Sequence, residues 1–267
     1  METSIAIWVN IAIILATLLA GYIFGSIPTS LIVGKVFFKT DPRQYGSHNL
    51  GATNSGRVFG KRIGFLIIIL DAFKLILPLW GFWAILTFTN IGTDVTSPLY
   101  LEPLRNSLID GLSVPQTHIQ YYYLTALGCS LGHCFPLFAG LKGGKSVSCL
   151  AGFMFFTNWL FTIVLIIVFF AILCSKKYVS LASVSTVLVC GIICWLSLIP
   201  SLTSLPFYGN GLAMIGGTEF ATTVTLISII VIARHHSNIK RLLSGTETKI
   251  TWLDRKPKEV PSTTTEN

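Results

Sequence analysis

Charge is what this chain has least of. Of 267 residues only 11% are Asp, Glu, Lys or Arg, against 52% hydrophobic. A soluble domain carries about 25% charge, so a polytopic membrane protein is the direct reading. No polar domain exists beyond the apolar runs, whose largest interruptions are residues 28–62, 91–118 and 234–267. The net charge of +8 suits basic cytoplasmic loops rather than nucleic-acid binding. None of the six cysteines pairs as Cys-x-x-Cys, and all lie in or beside apolar runs. They read as small packing residues, not disulfides or metal ligands. No Lys or Arg precedes the first apolar run, which argues against a cleaved leader and keeps that run as a span. No internal repeat is visible, which disfavours a transporter built from inverted halves.

Apolar runs occupy Ile5–Ile27, Ile63–Thr89, Ile119–Leu141, Val147–Cys174, Leu181–Ile199 and Phe220–Ala233. The last is short and is extended back through Gly216 and Gly217. Six basic residues fall in 28–62, two at Lys142 and Lys145, two at Lys176 and Lys177, and seven from Arg234 onward. The segment 91–118 has only Arg105, and 200–217 has none. By the positive-inside rule the basic groups are cytoplasmic. Lys145 and Lys176 then share a side, so the run between them must cross an even number of times. Two short helices turning near Thr157-Asn158 satisfy this. Each is about 22 Å long, short of a core of about 30 Å. The expected fold is all-α, with seven transmembrane helices, N-terminus outside and C-terminus cytoplasmic. Residues 1–250 form one membrane domain and 251–267 a disordered tail.

Three polar, Gly-punctuated segments then lie on one face. The first places Ser47, Asn49, Thr53, Asn54 and Arg57 between and after Gly46 and Gly51. Hydroxyls, amides and a guanidinium match phosphate oxygens, although an ordinary polar loop with a helix cap has the same composition. The second, Lys142-Gly143-Gly144-Lys145-Ser146, opens into an apolar helix. It is either an anion site at a helix N-terminus or a short turn with membrane-anchoring lysines. It is not a Walker A loop, because Ser146 stands where that pattern needs lysine. The third places Arg234, His235, Asn238 and Arg241 at helical spacing. It suits acid–base work or phosphate binding, or a basic juxtamembrane anchor. Zinc is not expected: His235 and His236 point apart and no carboxylate shares their face. Asp71 and Lys74, three apart inside an apolar run, are either a structural ion pair or part of the site. His133 reads first as an interhelical hydrogen-bonding residue.

With these residues in view, the chain resembles the bacterial integral-membrane acyl-phosphate:glycerol-3-phosphate acyltransferases over most of residues 20–250. The carriers are Gly25-Ser26-Ile27-Pro28, Ser47 to Arg57, Gly132-His133-x-Phe135-Pro136 through Lys145, Tyr178 to Ser183, and Arg234-His235-x-x-Asn238 through Glu247. The resemblance implies seven helices with these motifs cytoplasmic, in the bacterial inner membrane. It implies transfer of a fatty acyl group from acyl phosphate to the 1-hydroxyl of sn-glycerol 3-phosphate, without an acyl-enzyme and without a cofactor. His235 and Asn238 become the catalytic candidates. Ser47, Asn49, Thr53, Asn54, Arg57, Lys142, Gly143, Gly144, Lys145, Arg234 and Arg241 become the phosphate- and substrate-binding ones. The chain is expected to act as a monomer among membrane lipids, with no nucleic acid partner. It departs from the family at His48, Leu75 and Ser146, where glycine is usual. No His is followed five residues later by Asp, and no Gly-x-Ser-x-Gly elbow occurs.

Overall fold

The computed structural model describes residues 2–88, 119–196, 198–199 and 218–250. The described residues form helices and 3-10 turns with no strand. In chain order the helices are α1 (Glu2–Gly25), α2 (Thr29–Phe38), α3 (Ala52–Phe59), α4 (Lys61–Phe88) and α5 (Ile119–Cys134). They continue with α6 (Val147–Thr157), α7 (Trp159–Lys176), α8 (Val179–Leu196), α9 (Thr218–Arg234) and α10 (His236–Leu243). Residues 91–118 and 200–217, Gly216 and Gly217 among them, and the expected tail at 251–267 lie outside the described residues.

The apolar run 147–174 breaks at Asn158, where a turn is expected. The Asn158 backbone leaves helical space (φ −152°), and its side-chain oxygen accepts the Phe161 amide at 3.0 Å. One residue thus ends α6 and caps α7. The third run does not stay helical to Leu141. Pro136 lacks an amide donor and constrains the residue before it, so α5 ends at Cys134 and a 3-10 turn follows at Leu137–Ala139. Among the described residues, four helical stretches are long and apolar enough to cross a bilayer: Ile11–Phe38, Lys61–Phe82, Trp159–Lys176 and Val179–Leu196. The pair α9–α10, bent by 57°, makes a fifth, and α5 and α6 are shorter apolar helices.

Two packing features hold the site's supports in place. Along the α1–α5 seam the backbones touch. A Cβ on Gly21, Gly25, Gly128 or Gly132 would fall 2.1–2.2 Å from a carbonyl oxygen of the facing helix, the small-residue packing by which membrane helices associate. At the centre, the rings of Tyr123, Phe153 and Phe220 meet with centroids 6.0–6.1 Å apart, joining α5, α6 and α9.

Asp71 and Lys74 form the structural ion pair, Nζ to Oδ1 at 3.1 Å, both buried. Asp71 also accepts from Thr29 (2.6 Å) and Ser148 (3.1 Å), and Lys74 donates to the Ile27 carbonyl (3.0 Å). A charge this deep persists only when its partners are complete. Here it ties α4 to the start of α2 and the first turn of α6. His133 is buried with Nδ1 3.6 Å from Asp71, too far for a hydrogen bond. Leu75 is fully buried in the central core, so this departure is a packing change. All six cysteines are free, five of them buried and Cys174 exposed.

Candidate active site

The first segment is organised by Asn54, which is 1% exposed. Its Oδ1 accepts from the Ser47 amide (2.7 Å) and hydroxyl (3.2 Å). Its Nδ2 donates to the carbonyls of Pro42, Tyr45 and Asn49 at 2.8–3.1 Å. That exhausts its hydrogen-bonding capacity, so Asn54 shapes the loop and has nothing left for a phosphate. Gly46 is required beside it. Its φ is +63°, and a Cβ would lie 2.3 Å from Asn54 Oδ1. His48 also has positive φ (+55°), conformational space that suits glycine. Its Nδ1 donates to the Arg43 carbonyl at 2.8 Å, which offsets part of the cost. Asn49 Oδ1 accepts the Gly51 amide at 2.9 Å. Arg57, in the last turn of α3, is exposed and makes no hydrogen bond or ion pair among the described residues.

In the second segment the two glycines serve close packing against His133. A Cβ on Gly143 would lie 2.1 Å from the His133 carbonyl oxygen, and one on Gly144 2.0 Å from its Nε2. The Gly144 amide donates to that carbonyl at 3.0 Å. Lys142 is exposed and lies outside the cavity described below. Lys145 turns inward and donates to Asn238 Oδ1.

The third segment is a bend, not one continuous helix. α9 ends at Arg234, and His235 sits at the break with Nδ1 donating to the Val231 carbonyl at 2.7 Å. Asn238 is engaged on both sides: Oδ1 takes Lys145, and Nδ2 donates to Glu247 Oε1 at 2.8 Å. Glu247 also accepts from Ser180 (2.8 Å) and from Arg241 (2.7 Å). Arg234 donates to the Gly144 carbonyl at 3.3 Å, and its guanidinium lies 5.0 Å from the Phe135 ring centroid.

These parts enclose a cavity of about 300 Å³. Its polar end is lined by Ser47, Asn49, Thr53, Asn54, Arg57, Lys145, His235, Asn238 and Glu247. Its apolar end runs among Ile68 of α4, Met154 of α6, Leu165 and Phe169 of α7, and Val187 of α8. All three segments therefore meet at one site. Gly143, Gly144, Arg234 and Arg241 stand behind it and hold its lining residues. Burial pushes Lys145 down to about 8, with the Glu247 carboxylate partly opposing. Burial and the neighbouring Lys145 push His235 down to about 4, so its imidazole is neutral at pH 7. Burial raises the Glu247 pKa, but hydrogen bonds from Asn238, Ser180 and Arg241 outweigh it and keep the carboxylate below its ordinary value.

Glu247 and Ser180 are residues whose place in the site the sequence reading did not assign. The signal for Glu247 is that it is the one acid between Arg234 and Lys249. The turn at Gly245 (φ +70°) is what folds it back onto Asn238.

A family profile described as glycerol-3-phosphate acyltransferase matches residues 15–245. The glycerol-3-phosphate acyltransferase of Staphylococcus haemolyticus (strain JCSC1435) is 35% identical over 241 residues, covering 90% of this chain and 99% of the relative. That of Staphylococcus aureus (strain Newman) is 35% identical over 245 residues with the same coverage. The fold is similar to crystal structures of PlsY (YgiH), an integral membrane glycerol 3-phosphate acyltransferase. The glycerol 3-phosphate form superposes with a TM-score of 0.66 at 26% identity, covering 90% of this chain and 96% of that one. The lysophosphatidic acid form gives 0.63 at 26% identity, covering 89% and 95%.

Proposed function

The chain belongs to the glycerol-3-phosphate acyltransferase family, and from that premise we propose how it works. The donor is an acyl phosphate, the acceptor is the 1-hydroxyl of sn-glycerol 3-phosphate, and the products are lysophosphatidic acid and inorganic phosphate. The observation that carries this reading is the two-ended cavity. A cationic head built from the three segments continues into an apolar arm between helices, which suits a phosphate attached to a hydrocarbon chain.

An acyl phosphate is an activated mixed anhydride, so positioning and charge neutralisation suffice. The acceptor oxygen attacks the acyl carbonyl carbon, the carbon–oxygen bond to phosphate breaks, and phosphate departs. Arg57 and Lys145 neutralise the phosphates, with Ser47, Asn49 and Thr53 as hydrogen-bonding neighbours. Asn238 and Glu247 fix Lys145, while Asn54, Gly143, Gly144, Arg234 and Arg241 hold the walls. Lys142 contributes charge at the rim. The hydroxyl proton has two destinations, His235 Nε2 or a substrate phosphate oxygen. A phosphate monoester has its second pKa at about 6, above the value of about 4 for His235. Burial and the Lys145 cation disfavour a charged His235, which favours the substrate phosphate as the proton acceptor, with His235 as a neutral hydrogen-bonding guide for the hydroxyl.

The surrounding assignment is seven membrane helices (α1, α4 to α9), N-terminus outside and C-terminus inside. The cavity's polar head is at the cytoplasmic face of a bacterial inner membrane, and the protein acts as a monomer. The charge distribution supports it. The test is detergent-purified protein supplied with an acyl phosphate. Phosphate release that depends on glycerol 3-phosphate, with lysophosphatidic acid in the mass spectrum, is expected. No release would end this reading in favour of transport of a phosphorylated solute. No acyl adduct should appear on the protein after rapid quenching. A stoichiometric adduct formed before the acceptor is added would replace direct transfer with a covalent route.

A further inference from the structure

The strap that carries Glu247 into the site has one apolar side chain. Between Leu243 and Trp252 the sequence reads Ser-Gly-Thr-Glu-Thr-Lys-Ile-Thr, and Ile250 stands alone in it. Gly245 (φ +70°) reverses the chain after α10, and residues 246–250 then run back with no helix or strand of their own. Such a segment has no repeating backbone ladder to offset the entropy of ordering it, so its position depends on what holds its ends. One end is α10. The other is Ile250, 6% exposed and seated between Leu173 near the end of α7 and Ala182 near the start of α8. The Ile250 amide donates to the Lys177 carbonyl at 2.8 Å. Lys249 adds only a cation 5.4 Å from the Tyr178 ring centroid, a contact of small weight where water reaches it.

Glu247 lies three residues before this anchor. It accepts from Asn238, Ser180 and Arg241, and Asn238 in turn accepts from Lys145. Polar contacts alone hold such a strap weakly, because Arg241 is 42% exposed and water competes for it. Burial of an isoleucine does not meet that competition. We propose that Ile250 is a positioning residue for the reaction: it pins the strap so that the Glu247 carboxylate holds Asn238, and through it Lys145, in the polar head of the cavity. This rests on the proposed function. A second route from the same seat has to be separated from it, since Phe169 and Val179 pack against the Ile250 cluster and also line the cavity.

The test uses the full chain in detergent as wild type, Ile250→Val, Ile250→Ala, Glu247→Gln, and Ile250→Ala combined with Glu247→Gln. One readout is KM and kcat for glycerol 3-phosphate. The other is the pH dependence of Lys145 labelling by acetic anhydride, followed by peptide mass spectrometry, which needs no turnover. Glu247 is the anion facing Lys145, Arg57, Arg234 and Arg241 are the cations facing it, and His235 beside it is neutral. Loosening the carboxylate therefore lowers the pH at which Lys145 loses its proton. In Ile250→Ala that titration should move down by about 1 unit. KM should rise about tenfold, and kcat should change much less. Glu247→Gln should move the titration the same way, and Ile250→Ala added to it should move it no further. A lower melting temperature in Ile250→Ala with unchanged titration and KM would overturn the inference and leave Ile250 a packing residue. An equal rise in KM from Ile250→Ala in both backgrounds would overturn it too, and assign the effect to the wall at Phe169 and Val179. If Ile250→Ala does not fold, Ile250→Val decides: a smaller shift of both readouts in the same direction supports the inference, and none overturns it. If wild type releases no phosphate from acyl phosphate, the proposed function fails, and the Lys145 titration still decides the role of Ile250.

Discussion

Lys145 is the residue on which pH should act first. Burial lowers its pKa to about 8, so it is charged below that pH and neutral above it. The value of kcat/KM for glycerol 3-phosphate, which reports free-enzyme ionisations, should fall as pH rises through about 8. Lys145→Arg, whose guanidinium stays charged, should flatten that fall even if the rate at pH 7 drops. Arg57 makes no hydrogen bond or ion pair among the described residues, so its fork is available to grip two phosphate oxygens. Arg57→Lys should raise KM for glycerol 3-phosphate by the equivalent of about 1.5–3 kcal/mol. An unchanged KM would remove Arg57 from the site. Residue identity announced both cations, because a basic residue beside glycines in an apolar chain is conspicuous. It did not announce that Asn54 faces inward. An asparagine that builds a loop and one that binds a ligand look alike until its five hydrogen bonds are seen.

Among the elements, the Gly143–Ser146 loop leaves little room for a side chain. Gly144→Ala puts a Cβ against the buried ring of His133, and either ring or loop must move. A destabilisation of about 1–3 kcal/mol is expected. An activity loss of at least tenfold should accompany it as Lys145 shifts, measured by melting temperature and kcat/KM. Gly140→Ala is the control. Its Cβ would meet nothing within 4 Å, so only its positive φ (+64°) resists, and activity should be retained. The break at Asn158 was legible because charge on both flanks forced an even number of crossings. The 57° bend at His235 was not, since apolar periodicity runs smoothly into polar helix and carries no mark of a change in direction. The end of α5 at Cys134 was written in Pro136, but the apolar residues beyond it, Leu137 and Phe138, disguised a turn as a continuing span.

At the scale of the whole molecule, the test is sidedness. In a background with Cys174, the exposed native thiol, replaced by serine, single cysteines are placed at positions 145 and 176. Neither should react with an impermeant reagent applied outside intact cells, and both should react once the membrane is opened. Labelling of position 176 from outside would eliminate the α6–α7 hairpin and with it the seven-helix count. Composition and basic-loop asymmetry gave the membrane class directly. The convergence of three segments separated by roughly 90 residues each was legible only through that asymmetry, because it requires all three to share a face. The depth and direction of the apolar arm were not legible, since lipid-facing and cavity-facing leucines, isoleucines and phenylalanines are chemically the same.

The glycine seam between α1 and α5 also sets a timetable for biogenesis. α1 enters the bilayer first, while the surface that fits against Gly21 and Gly25 is encoded about 100 residues later. At roughly 5–20 residues per second, α1 waits on the order of 5–20 s before its facing helix is made. Closure of the seam is therefore a lateral docking of two helices already inserted. The start of α2, carrying the Thr29 that reaches Asp71, is coupled to that docking event through the short link from α1.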